Sequence, residues 1–206
     1  MKISELKNQA IESLRGKWDK AAIITLIYML IAGCFSATSH FSGMINENYS
    51  LGITFPSLLI LIPLGWGYSV YFLRVARKEE LAYSNLFDGF KDYVRILLTG
   101  LLYSLYIFLW FLLLIIPGII KCYSYAMTYY ILKDEPELRY NGAIERSMKM
   151  MDGHKMELFL LDLSFIGWYL LCIPTLGLAI FLVYPYHFTA RAHFYETLKQ
   201  AEQTAE

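Results

Sequence analysis

The sequence predicts an all-α, polytopic membrane helix bundle of six spans. The spans form three repeated hairpins, each preceded by a cytoplasmic amphipathic helix. Three observations predict it. Hydrophobic residues make up 57% of the chain and charged residues 17%, against roughly 45–50% and about 25% in soluble domains. The apolar excess, with a mean hydropathy of +0.42, is gathered into runs of span length. One pattern also recurs three times: an amphipathic stretch, a glycine with a lysine just after it, an apolar run, a proline near a glycine, then tyrosines. Its parts are Gly16-Lys17, Pro63-Leu64-Gly65 and Tyr68 to Tyr71; Gly89-Phe90-Lys91, Pro117-Gly118 and Tyr123 to Tyr125; and Gly153-His154-Lys155, Pro174 to Gly177 and Tyr184-Pro185-Tyr186. The repeat units run over about residues 1–78, 79–134 and 135–206 of a single integral membrane domain.

The first apolar run, residues 21–38, is about 27 Å long as a helix. That is enough to cross a hydrocarbon core of roughly 30 Å. Residues 53–75 give the second span. Residues 94–132 contain only Arg95 and Lys121 as charges, and as one helix would measure about 58 Å. That run must turn, and Pro117-Gly118 is the expected break, because proline cannot donate to the helix ladder and glycine accepts turn dihedrals. Residues 156–190 would measure about 52 Å, and Pro174 is the expected break there. The fourth and fifth spans come out short. A short polar outer loop is expected at residues 39–50.

Orientation follows from lysine and arginine placement. Lys2, Lys7, Arg15, Lys17 and Lys20 precede the first span. Arg74, Arg77, Lys78, Lys91 and Arg95 follow the second, Lys133 to Lys155 separate the fourth from the fifth, and Arg191 and Lys199 follow the sixth. The alternate loops carry no Lys or Arg except Lys121. This pattern places both termini in the cytoplasm of a multi-pass cell-membrane protein. The long basic lead-in and full-length first run read as an uncleaved span rather than a secretory signal.

The amphipathic stretches follow helical spacing. Ile3, Leu6, Ala10, Ile11 and Leu14 share a face in the first, with Ser4 as its expected cap. Leu81, Leu86, Phe87, Phe90 and Tyr93 serve the second, with Ser84 as cap. Leu138, Ala143, Ile144, Met148 and Met151 serve the third, with Gly153 as a stop. Such helices either lie at the membrane boundary or pack on the ends of the spans; partner binding is a further alternative.

Several segments together resemble the DUF975 family of uncharacterised integral membrane proteins, found mainly in Gram-positive bacteria. They are Leu86 to Phe90, Ile116 to Lys121, Tyr123 to Tyr125 with Met127 to Tyr130, Asp134 to Leu138, Gly153 to Lys155, Leu163 to Trp168 and Tyr184 to Tyr186. The resemblance covers nearly the whole chain and is most specific from Ile116 to Trp168. It implies a membrane protein and brings no catalytic residue. The architecture is loosely similar to membrane domains attached to some glycerophosphodiester phosphodiesterases, an analogy of fold alone.

Charges inside apolar runs are costly and so are candidate functional groups. Asp162 lies about 10 Å along the fifth span, with Arg191 or Arg74 as its expected partner. The group is either a proton or cation site or a buried pair that fixes packing. His187, four residues before Arg191, can join it. Lys121 is expected near the outer surface, where it snorkels or contacts an anionic head group. Tyr123, Met127 and Tyr130 share one helical face, Tyr125 and Tyr129 another; they pack, or line a cavity. Cys34, Cys122 and Cys172 sit in apolar runs without ligand spacing. No metal, cofactor or catalytic residue is expected: HExxH, phosphate-binding glycine loops and glycine-flanked serine nucleophiles do not occur. Zero net charge and no basic–aromatic block argue against nucleic acid. The expected partners are the lipid bilayer and other membrane proteins. The function classes that remain are a non-enzymatic scaffold or envelope-associated protein and, as the alternative, a small transporter or channel subunit.

Overall fold

The computed structural model describes the backbone of residues 2–45 and 47–205 and the side chains of residues 2–38 and 57–204. Among the described residues every element is helical. The order is α1 (Ile3–Leu14), α2 (Trp18–Ile45), α3 (Glu47–Ala76), a 3-10 helix (Tyr83–Phe90), α4 (Tyr93–Leu113), α5 (Ile115–Ser124), α6 (Thr128–Asp134), α7 (Asn141–Met150), α8 (Lys155–Leu163), α9 (Ile166–Leu170) and α10 (Ile180–Ala205). Three stretches among the described residues are long and apolar enough to cross a membrane: Trp18–Thr38, Ser57–Ala76 and Tyr93–Leu113.

Of the six expected spans, three thus stand as single helices of span length among the described residues. The later apolar runs are interrupted rather than continuous. The run 94–132 breaks at Leu114, whose backbone is extended (φ −160°, ψ 144°), and not at Pro117-Gly118. Pro117 sits in the first turn of α5, where its missing N–H would have no helical partner anyway. Gly118 gives room for α5 to fold back on α4, since a Cβ there would lie 2.8 Å from the Phe111 ring. The run 156–190 divides into α8, the short α9 and a stretch of turns from 171 to 179. Pro174 lies within those turns, and the chain reverses at Leu176 and Gly177, both at positive φ.

The helices of the three units differ in number and length. The first unit pairs two helices of 28 and 30 residues. The second pairs one long helix with two short ones, and the third has only short helices before α10. The expected outer loop at 39–50 is helical in backbone on both sides of Asn46. His40 and the other side chains of that stretch lie outside the described residues.

The amphipathic elements form where the sequence places them, with different ends. α1 buries Leu6, Ala10 and Leu14 against α10. It starts after Lys2 without a side-chain cap, so Ser4 is inside the helix. Gly16, at φ +74°, turns the chain into α2. The second element is 3-10 rather than α and starts after Ala82, one residue before the Ser84 cap position can act. It docks on α3 by close backbone approach: a Cβ on Gly67 would meet the Leu86 carbonyl oxygen at 2.0 Å, and one on Gly89 would meet the Pro63 carbonyl oxygen at 2.2 Å. Pro63 lies within α3 and leaves the carbonyl of Leu59 without its helical donor. The Tyr93 hydroxyl donates to that oxygen at 3.3 Å. In the third element, α7 buries Ala143, Ile144, Ser147 and Met150, and Gly153 at φ +80° follows its end.

The core is aromatic. Tyr68, Tyr71, Phe72, Phe165, Phe194 and Tyr195 are its largest fully buried side chains. Large apolar side chains lie bare instead along the α4–α5 turn, from Leu112 (73% exposed) to Ile116 (72%), and at Ile173, Leu176 and Leu178.

Candidate functional site

Asp162 leaves α8 and meets α10. Its Oδ1 accepts from His187 Nε2 at 2.7 Å and from Arg191 Nε at 2.9 Å, and its Oδ2 accepts from Arg191 Nη2. Of the two partners expected for Asp162, Arg191 is the one brought to it. Arg74 pairs elsewhere, with Asp88 at 2.8 Å and Glu79 at 3.8 Å. A carboxylate can only accept, so His187 Nε2 carries hydrogen; in the neutral ring Nδ1 accepts the Tyr169 hydroxyl at 2.7 Å. Phe165 stacks on the imidazole at 4.6 Å. Lys7 Nζ lies 4.6 Å from the Phe165 ring centre and donates to the Ser164 carbonyl at 3.1 Å, tying α1 to the same corner. Burial lowers the Lys7 pKa. The carboxylate accepts three hydrogen bonds, two of them from one guanidinium, and such added bonding is the condition under which a buried ion pair is tolerated. Removing one partner from such a pair costs about 3–5 kcal/mol.

Arg191 also borders a cavity of about 460 Å³ that Tyr28, Tyr68, Tyr103, Tyr123, Tyr129 and Tyr130 line. The two faces expected for the Tyr123–Tyr130 stretch do not survive, because the helix is interrupted at residues 125–127. Tyr123, Tyr129 and Tyr130 all reach the cavity. Tyr28 stacks on Tyr68 at 4.5 Å. Thr25 Oγ1 donates to the Ala21 carbonyl at 2.9 Å, so the Tyr68 hydroxyl is the donor in its 3.0 Å bond to Thr25. Cys122 also borders the cavity. Lys121 does not join this site. With the turn at Leu114 it stands about 10 Å down the return limb, its ammonium 4.9 Å from the Trp110 ring centre and 5.9 Å from that of Tyr125, a cation–π arrangement.

A second polar centre was not anticipated. Asp134, at the end of α6, accepts from Arg77 Nη1 at 2.8 Å, Arg77 Nη2 at 2.5 Å, Lys199 Nζ at 2.5 Å and the Tyr195 hydroxyl at 2.9 Å. Arg77 Nε donates to Glu196 Oε1 at 2.8 Å. Burial alone would push the Asp134 carboxyl up, but the bonds from Arg77, Lys199 and Tyr195 overcome it and hold the group at about 2. The same carboxylates raise the Arg77 pKa above its usual value against the opposing effect of burial. Nearby, Arg146 forks onto Glu202 at 2.7 and 3.0 Å, and Arg95 donates to the carbonyls of Leu132 and Leu138, each at 3.2 Å. His193 meets Ser13 at 2.9 Å, and burial lowers its pKa. A sequence signal for Asp134 exists: it is an acid two residues beyond the apolar run 94–132, among basic residues whose placement also sets orientation.

Among the described residues no group of His, Cys, Asp and Glu is placed to hold a metal ion. No curated protein and no solved structure matches the chain. The sequence model of the family described as protein of unknown function, DUF975, matches residues 1–124 and residues 111–202. The two matches together run along almost the entire chain, and the protein belongs to the DUF975 family.

Proposed function

We propose that the protein is a non-enzymatic, multi-pass integral membrane protein of the cell membrane that holds other membrane components, as a scaffold or envelope-associated protein, with both termini cytoplasmic. One observation carries the reading: the polar groups are paired internally at one end of the bundle, while large apolar side chains from Leu112 to Ile116 stand bare at the other. Water penalises such a surface and lipid or an apolar partner covers it. The broken segments 115–132 and 156–190 also cross the bilayer in this proposal, as interrupted limbs giving six crossings. Antiparallel pairing supports it, since Arg95 at the start of α4 reaches the carbonyl of Leu132 near the end of α6 and that of Leu138 just beyond it.

Affinity purification in mild detergent tests the holding role. Recovery of a stoichiometric protein or lipid is expected, and an empty preparation overturns it. Cysteines placed at Glu47 and Glu137 in a cysteine-free background are expected to label from opposite sides; same-side labelling ends the six-crossing arrangement. A second reading, a small transporter, is favoured by the cavity beside Arg191. Flux in proteoliposomes that Asp162→Asn abolishes would replace the scaffold by it.

A further inference from the structure

The cavity sets hydrogen-bonding groups among apolar side chains such as Leu61, Ile62 and Phe188. Tyr28, Tyr103, Tyr129 and Tyr130 line it, and their hydroxyls make no hydrogen bond among the described residues. Arg191 spends Nε and Nη2 on Asp162, which leaves Nη1 uncommitted among the described residues. The nearby carboxylate, Asp162, is already paired with Arg191 and His187. Leaving this many polar groups unpaired in a low-dielectric space is unfavourable. They therefore define the complement they need: a compact group with several acceptor oxygens and negative charge.

The geometry points to a binding site for a phosphoryl oxyanion in this cavity, with Arg191 as the charged contact and the tyrosine hydroxyls as the remaining donors. A phosphoryl group offers three or more acceptor oxygens in a tetrahedral array, which suits donors arriving from four helices better than the two coplanar oxygens of a carboxylate. Lys7 and Arg191 against Asp162 leave a positive balance at this corner when His187 is neutral. The volume, about 460 Å³, lies in the range of small-ligand pockets and suits a head group rather than acyl chains. Tyr28 and Tyr103 each lie ten residues into α2 and α4, about 15 Å from the charged end. A lipid phosphate or a free phosphate can supply the group. The inference deepens the binding role proposed above by naming a ligand class.

The test uses the full chain in neutral detergent with Cys34→Ser and Cys172→Ser, so that Cys122 at the cavity edge is the one remaining thiol. Maleimide labelling of Cys122 is measured with phosphatidic acid, with diacylglycerol of the same chains, and with inorganic phosphate. Phosphatidic acid is expected to slow labelling about tenfold or more, and diacylglycerol is not. Equal protection by inorganic phosphate keeps the site and assigns it to the free anion. Protection by neither phosphorylated probe, or equal protection by diacylglycerol, overturns the proposal. Tyr103→Phe with Tyr129→Phe, which keeps both rings, is expected to weaken the protective affinity about tenfold at unchanged thermal stability; unchanged affinity overturns the role of the hydroxyls. Should the double variant unfold, Tyr28→Phe decides the same point. Failure here with a recovered partner in the purification would leave the scaffold reading standing.

Discussion

The two ends of the bundle solve opposite problems. At the charged end, Asp134 takes four hydrogen bonds from three residues, and Arg77 bridges it to Glu196. At the other end the α4–α5 turn exposes five consecutive large apolar residues, Leu112 to Ile116, each between 62% and 73% open. The charged end is finished by the protein itself, whereas the apolar end is finished only by a low-dielectric surrounding. Specificity of helix placement thus resides at the charged end, where each ion pair has a defined geometry. The apolar end contributes bulk burial in lipid, which tolerates many side-chain arrangements.

The contrast breaks most severely at Arg77. Arg77→Ala removes two of the four hydrogen bonds to Asp134, whose side chain is 6% exposed, and the one from Arg77 Nε to Glu196, and is expected to cost about 2–4 kcal/mol with Lys199 and Tyr195 still in place. Thermal unfolding in detergent, followed by tryptophan fluorescence, reads the loss. Arg77→Met combined with Asp134→Leu removes both charges and is expected to recover most of it. By contrast, Leu113→Ala at the apolar end is expected to change stability in detergent by less than about 1 kcal/mol, because micelle contacts replace those lost. Equal losses at both ends would abolish the distinction.

Much of this division was legible beforehand. The apolar runs, the basic flanks and the pairing of Asp162 with Arg191 rest on composition and on the cost of an isolated charge, which sequence displays directly. The position of the turns was less legible. Pro117-Gly118 carries the usual breaker residues, yet the chain bends at Leu114, because a proline in a first turn agrees with helix geometry and the true break needs only one extended residue. The triple pattern carries little about local backbone for a related reason: glycine and proline recur at similar spacing, but Gly89 serves close docking and Gly177 a reversal. The cavity was the least legible part, because it depends on which faces of six helices meet after the helix breaks at residues 125–127.

Close docking at the charged end makes the next prediction. In Gly67→Ala the new methyl would lie 2.0 Å from the Leu86 carbonyl oxygen, a backbone atom that cannot rotate away. A loss of about 1–3 kcal/mol is expected, together with faster proteolysis around Glu79 to Tyr83 as the 3-10 helix lifts from α3. Unchanged proteolysis would mean that this helix is not held there.

The acid response is somewhat smaller. Asp134 is held at about 2, against 3.8 for the unperturbed group. Its folded pKa is depressed, so its contribution is fully present above about pH 4 and fades as the pH falls toward 2. The shift corresponds to about 2 kcal/mol. Hydrogen exchange at the end of α6 is expected to accelerate across that window in the native protein, and Arg77→Met with Asp134→Leu is expected to remove the acceleration. An acid response that persists in the double variant would place the titrating group elsewhere.

The smallest expected effect distinguishes the two candidate turn positions. Proline in an α-helix interior costs about 3 kcal/mol, so a proline placed against its surroundings leaves a clear gain when it is replaced. Pro117 stands in the first turn of α5, where its ring and absent N–H fit. Pro117→Ala is therefore expected to shift stability by less than about 1 kcal/mol and to leave the accessibility of a cysteine at Leu114 unaltered. Leu114→Pro is expected to fail twice, because a proline ring holds φ at about −65° whereas Leu114 stands at −160°, and because the Leu114 N–H donates to the Trp110 carbonyl at 3.0 Å to close α4. Loss of that bond frays the end of α4. A large effect at Pro117 with none at Leu114 would return the turn to Pro117-Gly118, and with it the bare apolar ridge that separates this end of the bundle from the other.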